Sequence, residues 1–187
     1  RKRYGSDITL LTISYSSTVI ELMKDFSHCM VLESRPAMEG RRTAERLLDD
    51  REIDYYTDAA MVKALERTDA VVVGADTVTE DGFLNKTGTR PLVFSAERLD
   101  VPWFVLADET KLLPSEIPHP VTEEHPPVEV WDMDEKMNVH NDYFEFSPWG
   151  KGELICGDVV LKKEQIKKRV DGKRVSSSLI DHHPRTG

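Results

Sequence analysis

Val71, Val72 and Val73 run through Gly74 and Ala75 into Asp76, so an apolar stretch ends on a carboxylate. A carboxylate at the end of a buried strand loses part of its hydration, its pKa rises, and it becomes suited to moving protons. The same group can instead accept backbone hydrogen bonds and shape the loop that follows, and the residues alone leave both readings open. Ser14, Ser16 and Ser17 follow another apolar stretch, Leu10 to Ile13, where a strand passes into a helix. Unpaired N–H groups and the helix dipole make such a start a place for an anion. Serine is equally an ordinary N-cap residue. Asn85 and Lys86, after a turn at Asp81-Gly82, add an amide and an ammonium. Beside a carboxylate these groups can hold a hydroxylated, phosphorylated ligand, although a pair in a polar loop is more often simply solvated.

The elements that position these groups follow from periodicity. Residues 8–14 predict a buried strand, 16–26 a helix with its Ser/Thr cluster at the start, and 29–34 a second strand. Residues 37–50 predict a helix from the spacing of Ala37, Ala44, Leu47 and Leu48. A third strand at 52–58, a short helix at 59–68, a strand at 70–78, a polar loop, a helix at 88–98 and a strand at 102–107 complete the alternation. A strand without polar alternation is buried on both faces, as in a parallel sheet covered by helices. The fold class expected is therefore α/β, a Rossmann-like, mostly parallel sheet flanked by helices on both faces. In such sheets ligands bind beyond the carboxyl ends of the strands, which is where all three clusters fall.

After Leu113 the pattern breaks. Residues 114–127 contain five prolines and read as an excursion loop. Strands are expected at 128–134 and 153–161, and a helix at 162–170 closes a domain of residues 1–171. Residues 172–187 have little to bury and are expected to form a mobile tail. In the closing helix Ile166 and Val170 make one apolar stripe, leaving the lysines and Arg169 as a solvated basic face.

The 187 residues suit one domain, and 39% apolar content supports a proper core. A formal charge of −9 argues against nucleic acid or an anionic membrane as partner. No apolar run reaches the roughly 18 residues of a membrane span, and no charged-then-apolar leader opens the chain, so a cytoplasmic protein is expected. Cys29 and Cys156 read as two buried thiols. The adjacent His182 and His183 lack further ligands at suitable spacing, and neither metal nor cofactor is expected.

The motifs also carry a resemblance. LLTISYSSTV (10–19), ESRPAMEGRRTA (33–44), YYTDAAM (55–61), VVVGADTVTEDG (71–82), NKTGT (85–89) and VPWFVLADETKL (101–112) occur here in order. Together they resemble the superfamily joining the regulatory subunits of translation initiation factor 2B to sugar-phosphate aldose–ketose isomerases. Those enzymes include methylthioribose-1-phosphate isomerase and ribose-1,5-bisphosphate isomerase. Asn141 to Pro148 is similar to the family's later Asn-x-x-Phe-Glu-x-x-Pro segment.

For the isomerases the resemblance implies a Cys after the first strand and an Asp in Gly-Ala-Asp, acting on opposite sides of the sugar. Asp76 matches the Asp, and Asn85 and Lys86 match the pair that grips substrate. Ser14 stands at the Cys position, and a hydroxyl is far less acidic than a thiol of pKa about 8.5. Glu39 stands where the isomerases usually carry Gln, and its charge would repel a phosphate unless something neutralises it. The loop from Gly82 to Asn85 is one residue shorter than the family's usual spacing. The family's helical amino-terminal domain, which completes the pocket, is expected to be absent.

The resemblance thus implies an initiation-factor-2B-like regulatory or binding protein, without isomerase activity. Its pocket for a sugar phosphate or nucleotide would involve Ser14, Ser16, Ser17, Glu39, Asp76, Asn85 and Lys86. Its expected partners are a second copy or related subunits. The alternative is an aldose–ketose isomerase needing a missing domain or a partner chain. A further alternative is a dimerising domain whose fusion partner does the chemistry.

Overall fold

The computed structural model describes residues 8–48, 51–114, 117, 125–132 and 136–173. Its first half alternates strand and helix: β1 (Thr9–Thr12), α1 (Ser17–Met23), β2 (His28–Leu32), α2 (Glu39–Leu47), β3 (Glu52–Tyr56), α3 (Met61–Leu65) and β4 (Ala70–Gly74). A short hairpin, β5 (Thr77–Val78) and β6 (Gly82–Lys86), then precedes α4 (Thr89–Arg98) and β7 (Trp103–Leu106). The later elements are β8 (Phe144–Pro148), β9 (Glu153–Cys156), β10 (Val159–Leu161) and α5 (Lys163–Asp171).

Seven strands form one sheet in the order β10-β9-β7-β4-β1-β2-β3, parallel except for the antiparallel β10. The expected mixed α/β fold is thus present. Side chains alternate strictly between its faces. Leu11, Met30, Val71, Val73 and Val105 pack with α3, α4 and α5 residues such as Leu65, Leu92 and Ile166. Leu10, Val31, Val72 and Phe104 pack on the other face with Val19, Ile20 and Met23 of α1 and Leu47 of α2. This two-sided burial is why the strands read as unbroken apolar runs. The chain builds outward from β1 to β3 on one side, then returns to β4 and builds outward to β10 on the other. β1 and β4 are neighbours, so their crossovers leave in opposite directions and a crevice opens at their carboxyl ends.

Four sequence expectations are corrected. The run at 70–78 breaks after Gly74, because Thr77 and Val78 leave the main sheet to pair with β6. Residues 82–86 are a strand and not part of a polar loop: β6 sits between β5 and β8 in a second, antiparallel sheet. Its tight connection is closed by Thr79, whose N–H donates to the Gly82 carbonyl at 2.8 Å. Of the strand expected at 128–134, the described residues 128–132 form none. Pro127 opens a 3₁₀ turn over Pro127–Glu129, and Val128 and Trp131 lie exposed, 58% and 56%, without a sheet edge to join. Residues 133–135 lie outside the described residues. The single strand expected at 153–161 is a hairpin, turned at Gly157 with φ +59°.

In α5 Ile166 and Val170 are buried as the periodicity requires. Its basic face meets carboxylates of the same chain, Lys167 with Glu80 and Arg169 with Glu109. The tail lies outside the described residues from residue 174 onward, as do His182 and His183.

Gly40 fixes how close α2 comes to the sheet. A Cβ there would lie 1.9 Å from the Leu32 carbonyl oxygen, which only backbone movement could relieve. Gly40→Ala is therefore expected to cost about 2–3 kcal/mol and to lower the thermal midpoint by roughly 5–10 °C. A circular-dichroism melt checks this, and an unchanged midpoint would show that α2 is free to move outward.

Candidate functional site

All seven residues singled out in the sequence line one cleft of about 470 Å³ at the carboxyl ends of β1, β4 and β7, roofed by β6 and Phe144. That volume lies within the range of small-molecule sites, roughly 300–1,000 Å³. Another depression, lined by Glu97, Asp100, Trp103 and Lys151, is smaller, about 260 Å³, and sits at the opposite end of β7, away from all of these groups.

On the β1 side, Ser14 adopts a left-handed backbone conformation, φ 72°. Such a conformation is costly for a residue with a side chain and persists when neighbours over-determine it. Here the Ser14 N–H donates to Ser34 Oγ at 2.6 Å, and its carbonyl accepts from Thr43 Oγ1 at 2.7 Å. Ser34 is held in turn because its N–H and that of Arg35 donate to the two oxygens of Asp58. Ser16 is an N-cap, its Oγ accepting from the Val19 N–H at 3.4 Å. The ordinary capping role thus describes Ser16, while Ser17 stands exposed in the cleft.

Asp76 follows β4, with its N–H donating to the Leu84 carbonyl at 2.9 Å. Its side chain opens to solvent through the mouth of the cleft, while the walls behind it remove water. Burial pushes its carboxyl above the ordinary value of 3.8, and the nearby Lys111 charge pulls it partly back. The carboxylate therefore has the character of a proton-transfer group or of an acceptor for ligand hydroxyls.

Asn85 and Lys86 come from β6. Asn85 Nδ2 donates to Thr89 Oγ1 at 2.9 Å, and that hydroxyl donates to the Lys86 carbonyl at 2.6 Å. Lys86 Nζ donates to Glu39 Oε1 at 2.9 Å and lies 4.0 Å from the centre of the Tyr143 ring. Only 2% of the Lys86 side chain is exposed. The neutralising partner that Glu39 requires is thus Lys86 itself. Tyr143 is fixed by donating its hydroxyl to Glu129 at 2.5 Å and by stacking on His125 at 3.6 Å. The bond to Glu129 pushes its hydroxyl up to about 12, so the ring over Lys86 is a neutral phenol. Glu145, in the later motif, accepts the N–H groups of Gly88 and Arg90 at 2.6 and 2.9 Å, which fills the start of α4.

The sequence reading missed Arg42, Asp108 and Lys111, which also line the cleft. Arg42 sits 4.6 Å over the Tyr15 ring. All three lie inside stretches quoted above for their resemblance, ESRPAMEGRRTA and VPWFVLADETKL, yet nothing local marks them as facing a cavity. Both cysteines lie elsewhere, buried in the packing of the sheet, and desolvation pushes the Cys29 thiol up to about 11. Among the described residues no three His, Cys, Asp or Glu side chains converge as metal ligands. Among the same residues no helix is long and apolar enough to cross a membrane.

A switch-point crevice on a mostly parallel sheet, lined by hydroxyls, carboxylates and cations, defines a Rossmann-like α/β domain with a candidate small-molecule site. More narrowly, the chain belongs to the Initiation factor 2 subunit family, whose profile matches residues 3–169. It is 32% identical over 148 residues to a translation initiation factor eIF-2B subunit 2-like protein of Pyrococcus furiosus, covering 75% of this chain and 52% of that one. It is also 32% identical over 121 residues to the ribose 1,5-bisphosphate isomerase of Archaeoglobus fulgidus, covering 60% and 39%. The chain thus spans about half the length of the first of these relatives and less of the second. Among solved structures, the eIF-2B delta subunit of A. fulgidus superposes with a TM-score of 0.78 at 20% identity, covering 90% of this chain and 58% of that one. The 5-methylthioribose 1-phosphate isomerase of Pyrococcus horikoshii gives 0.75 at 22%, covering 91% and 56%. These last two likenesses establish the fold.

The raised Asp76 carboxyl has a consequence for stability. A group whose folded value is raised stabilises the fold fully below its unfolded value, and that contribution is lost as pH rises through the folded value. Asp76→Asn is therefore expected to be more stable than the parent at pH 7, with the advantage vanishing as pH falls below 3.8. Urea unfolding across pH 3–7 reads this directly. An advantage independent of pH would mean that Asp76 is not desolvated.

Proposed function

We propose that this chain is an eIF-2B-type regulatory domain that binds a small phosphorylated, hydroxylated ligand and does not isomerise it. One observation carries the reading: where the resemblance implies a thiol, the cleft presents the hydroxyl of Ser14, and both thiols are buried away from it. Acid–base catalysis by a side chain is worth about 10²–10⁴ in rate, and a serine hydroxyl without a strong base beside it supplies little of that. The hydroxyls of Ser14 and Ser17 and the carboxylate of Asp76 remain suited to a sugar. A cytoplasmic location and association with a second copy or with related subunits go with this reading.

The isomerase reading is supported by Asp76, whose partly desolvated carboxylate at the mouth of the cleft is raised in the direction that proton transfer needs. Turnover assays separate the two. With ribose 1,5-bisphosphate or methylthioribose 1-phosphate the chain is expected to form no ketose above the buffer rate. Calorimetry with ribose 5-phosphate and adenosine monophosphate is expected to give saturable binding by at least one. In Asp76→Asn that binding should weaken roughly tenfold, the worth of a hydrogen bond to a charged group. Turnover of either substrate would overturn the non-catalytic reading, and no heat from any ligand would leave protein assembly as the function.

A further inference from the structure

On the face of the main sheet that holds Leu10 and Val72, α1 and α2 are the only helices packed among the described residues. Beyond α1 that face opens as an apolar groove of about 210 Å³, walled by Leu22 and Phe26 and floored by Val72, Phe104, Ile155 and Val160. The groove runs out to β10, the edge strand, where Val159 and Val160 are 44% and 40% exposed. Gly157 and Asp158 form the two-residue turn that sets Cys156 opposite Val159. Such a turn is closed by a bonded pair, and bonding then alternates along the ladder. Val159 and Leu161 therefore turn their N–H and C=O groups toward β9, and Val160 turns its own outward. An outward N–H and C=O on an edge strand are a template for another strand.

Charge decides which strand fits there. Asp158 and Lys162 stand two residues to either side of Val160, both exposed, and neither makes an ion pair among the described residues. We propose that β10 pairs antiparallel with β10 of a second copy about a two-fold axis through Val160, joining the two main sheets into one. In that register Val160 faces its own counterpart, and Asp158 of each copy faces Lys162 of the other, as a self-complementary contact requires. Opposite charges facing each other across two strands stabilise the pairing, and like charges oppose it. Sliding the register by two residues in either direction loses both ion pairs, so the charges also fix the alignment. The seam is short, because the Lys162 N–H already donates to Gln165 Oε1 at 2.9 Å. The apolar part of the contact comes from the two grooves, which meet at the paired Val160 side chains. A contact of this small size makes a reversible dimer.

This inference rests on the self-association that goes with the proposed function, and its test distinguishes the two. Sedimentation velocity on the full chain over a concentration series is expected to show a monomer–dimer equilibrium. Asp158→Lys and Lys162→Asp should each weaken it roughly tenfold, since each turns two attractions between exposed charges into two repulsions. An equimolar mixture of the two variants should dimerise as the parent does, because a heterodimer restores both ion pairs. A role for either residue within its own chain would not be rescued by mixing. Val160→Cys should give a disulfide-linked dimer on mild oxidation, the two native thiols being buried. Should a charge variant fail to fold, this cross-link decides alone. A dimer that neither charge change weakens, or a Val160→Cys chain that stays uncross-linked, overturns pairing through β10 and leaves self-association standing. A monomer at every concentration overturns both.

Discussion

The placement of β1 beside β4, each buried on both faces, is the constraint from which the rest of the molecule follows. Leu11 and Val71 must pack against one helical layer while Leu10 and Val72 pack against another. Helices are therefore needed on both sides of the sheet, and the two halves of the chain must wind away from the β1–β4 boundary in opposite directions. That divergence cannot be covered by either crossover, so the carboxyl ends of these two strands stay open. The second sheet, β5-β6-β8, lies across that opening and turns a shallow crevice into a cleft with a roof.

The roof brings an electrostatic problem with it, because β6 carries Lys86 into a place with almost no solvent. A buried ammonium is tolerated only when it is paired and bonded. Glu39 from α2 and the Tyr143 ring beside β8 supply what water would have supplied. Such a pair is weak evidence for extra stability, since desolvating both charges offsets most of their attraction, but losing one partner is costly. It ties β6, α2 and the segment before β8 to one another. The same pairing changes what the cleft offers a ligand. A lysine that would otherwise face an anion is already satisfied, and the cations of the cleft outside that pair are Arg42 and Lys111.

Fold and function therefore separate in an informative way. The chain shares its family with proteins named as initiation-factor subunits and with one named as an isomerase. A shared architecture carries the fold more reliably than the chemistry done on it. What this cleft presents is local: a hydroxyl at Ser14, a carboxylate at Glu39 and a backbone conformation at Ser14 that its neighbours hold in place.

Much of this was legible in the residues themselves. Unbroken apolar runs fixed a two-faced sheet, and Gly74 to Asp76 with Ser14 to Ser17 marked the strand ends at which the cleft opens. The correct layer pattern needed only local periodicity, since a strand's burial on both faces is written in its own composition. The remainder was not written locally. Asn85 and Lys86 looked like loop residues because β6 acquires its partner β8 from residues 144–148, far along the chain. Val128 and Trp131 looked like strand residues because composition cannot say whether a sheet edge is within reach. The Glu39–Lys86 bond joins positions 47 residues apart, and Arg42 faces the cleft only because Gly40 lets α2 close on β2. A sequence determines which surfaces must be buried; which distant charges meet once they are buried is decided by the tertiary fold, because burial removes the water that would otherwise keep them apart.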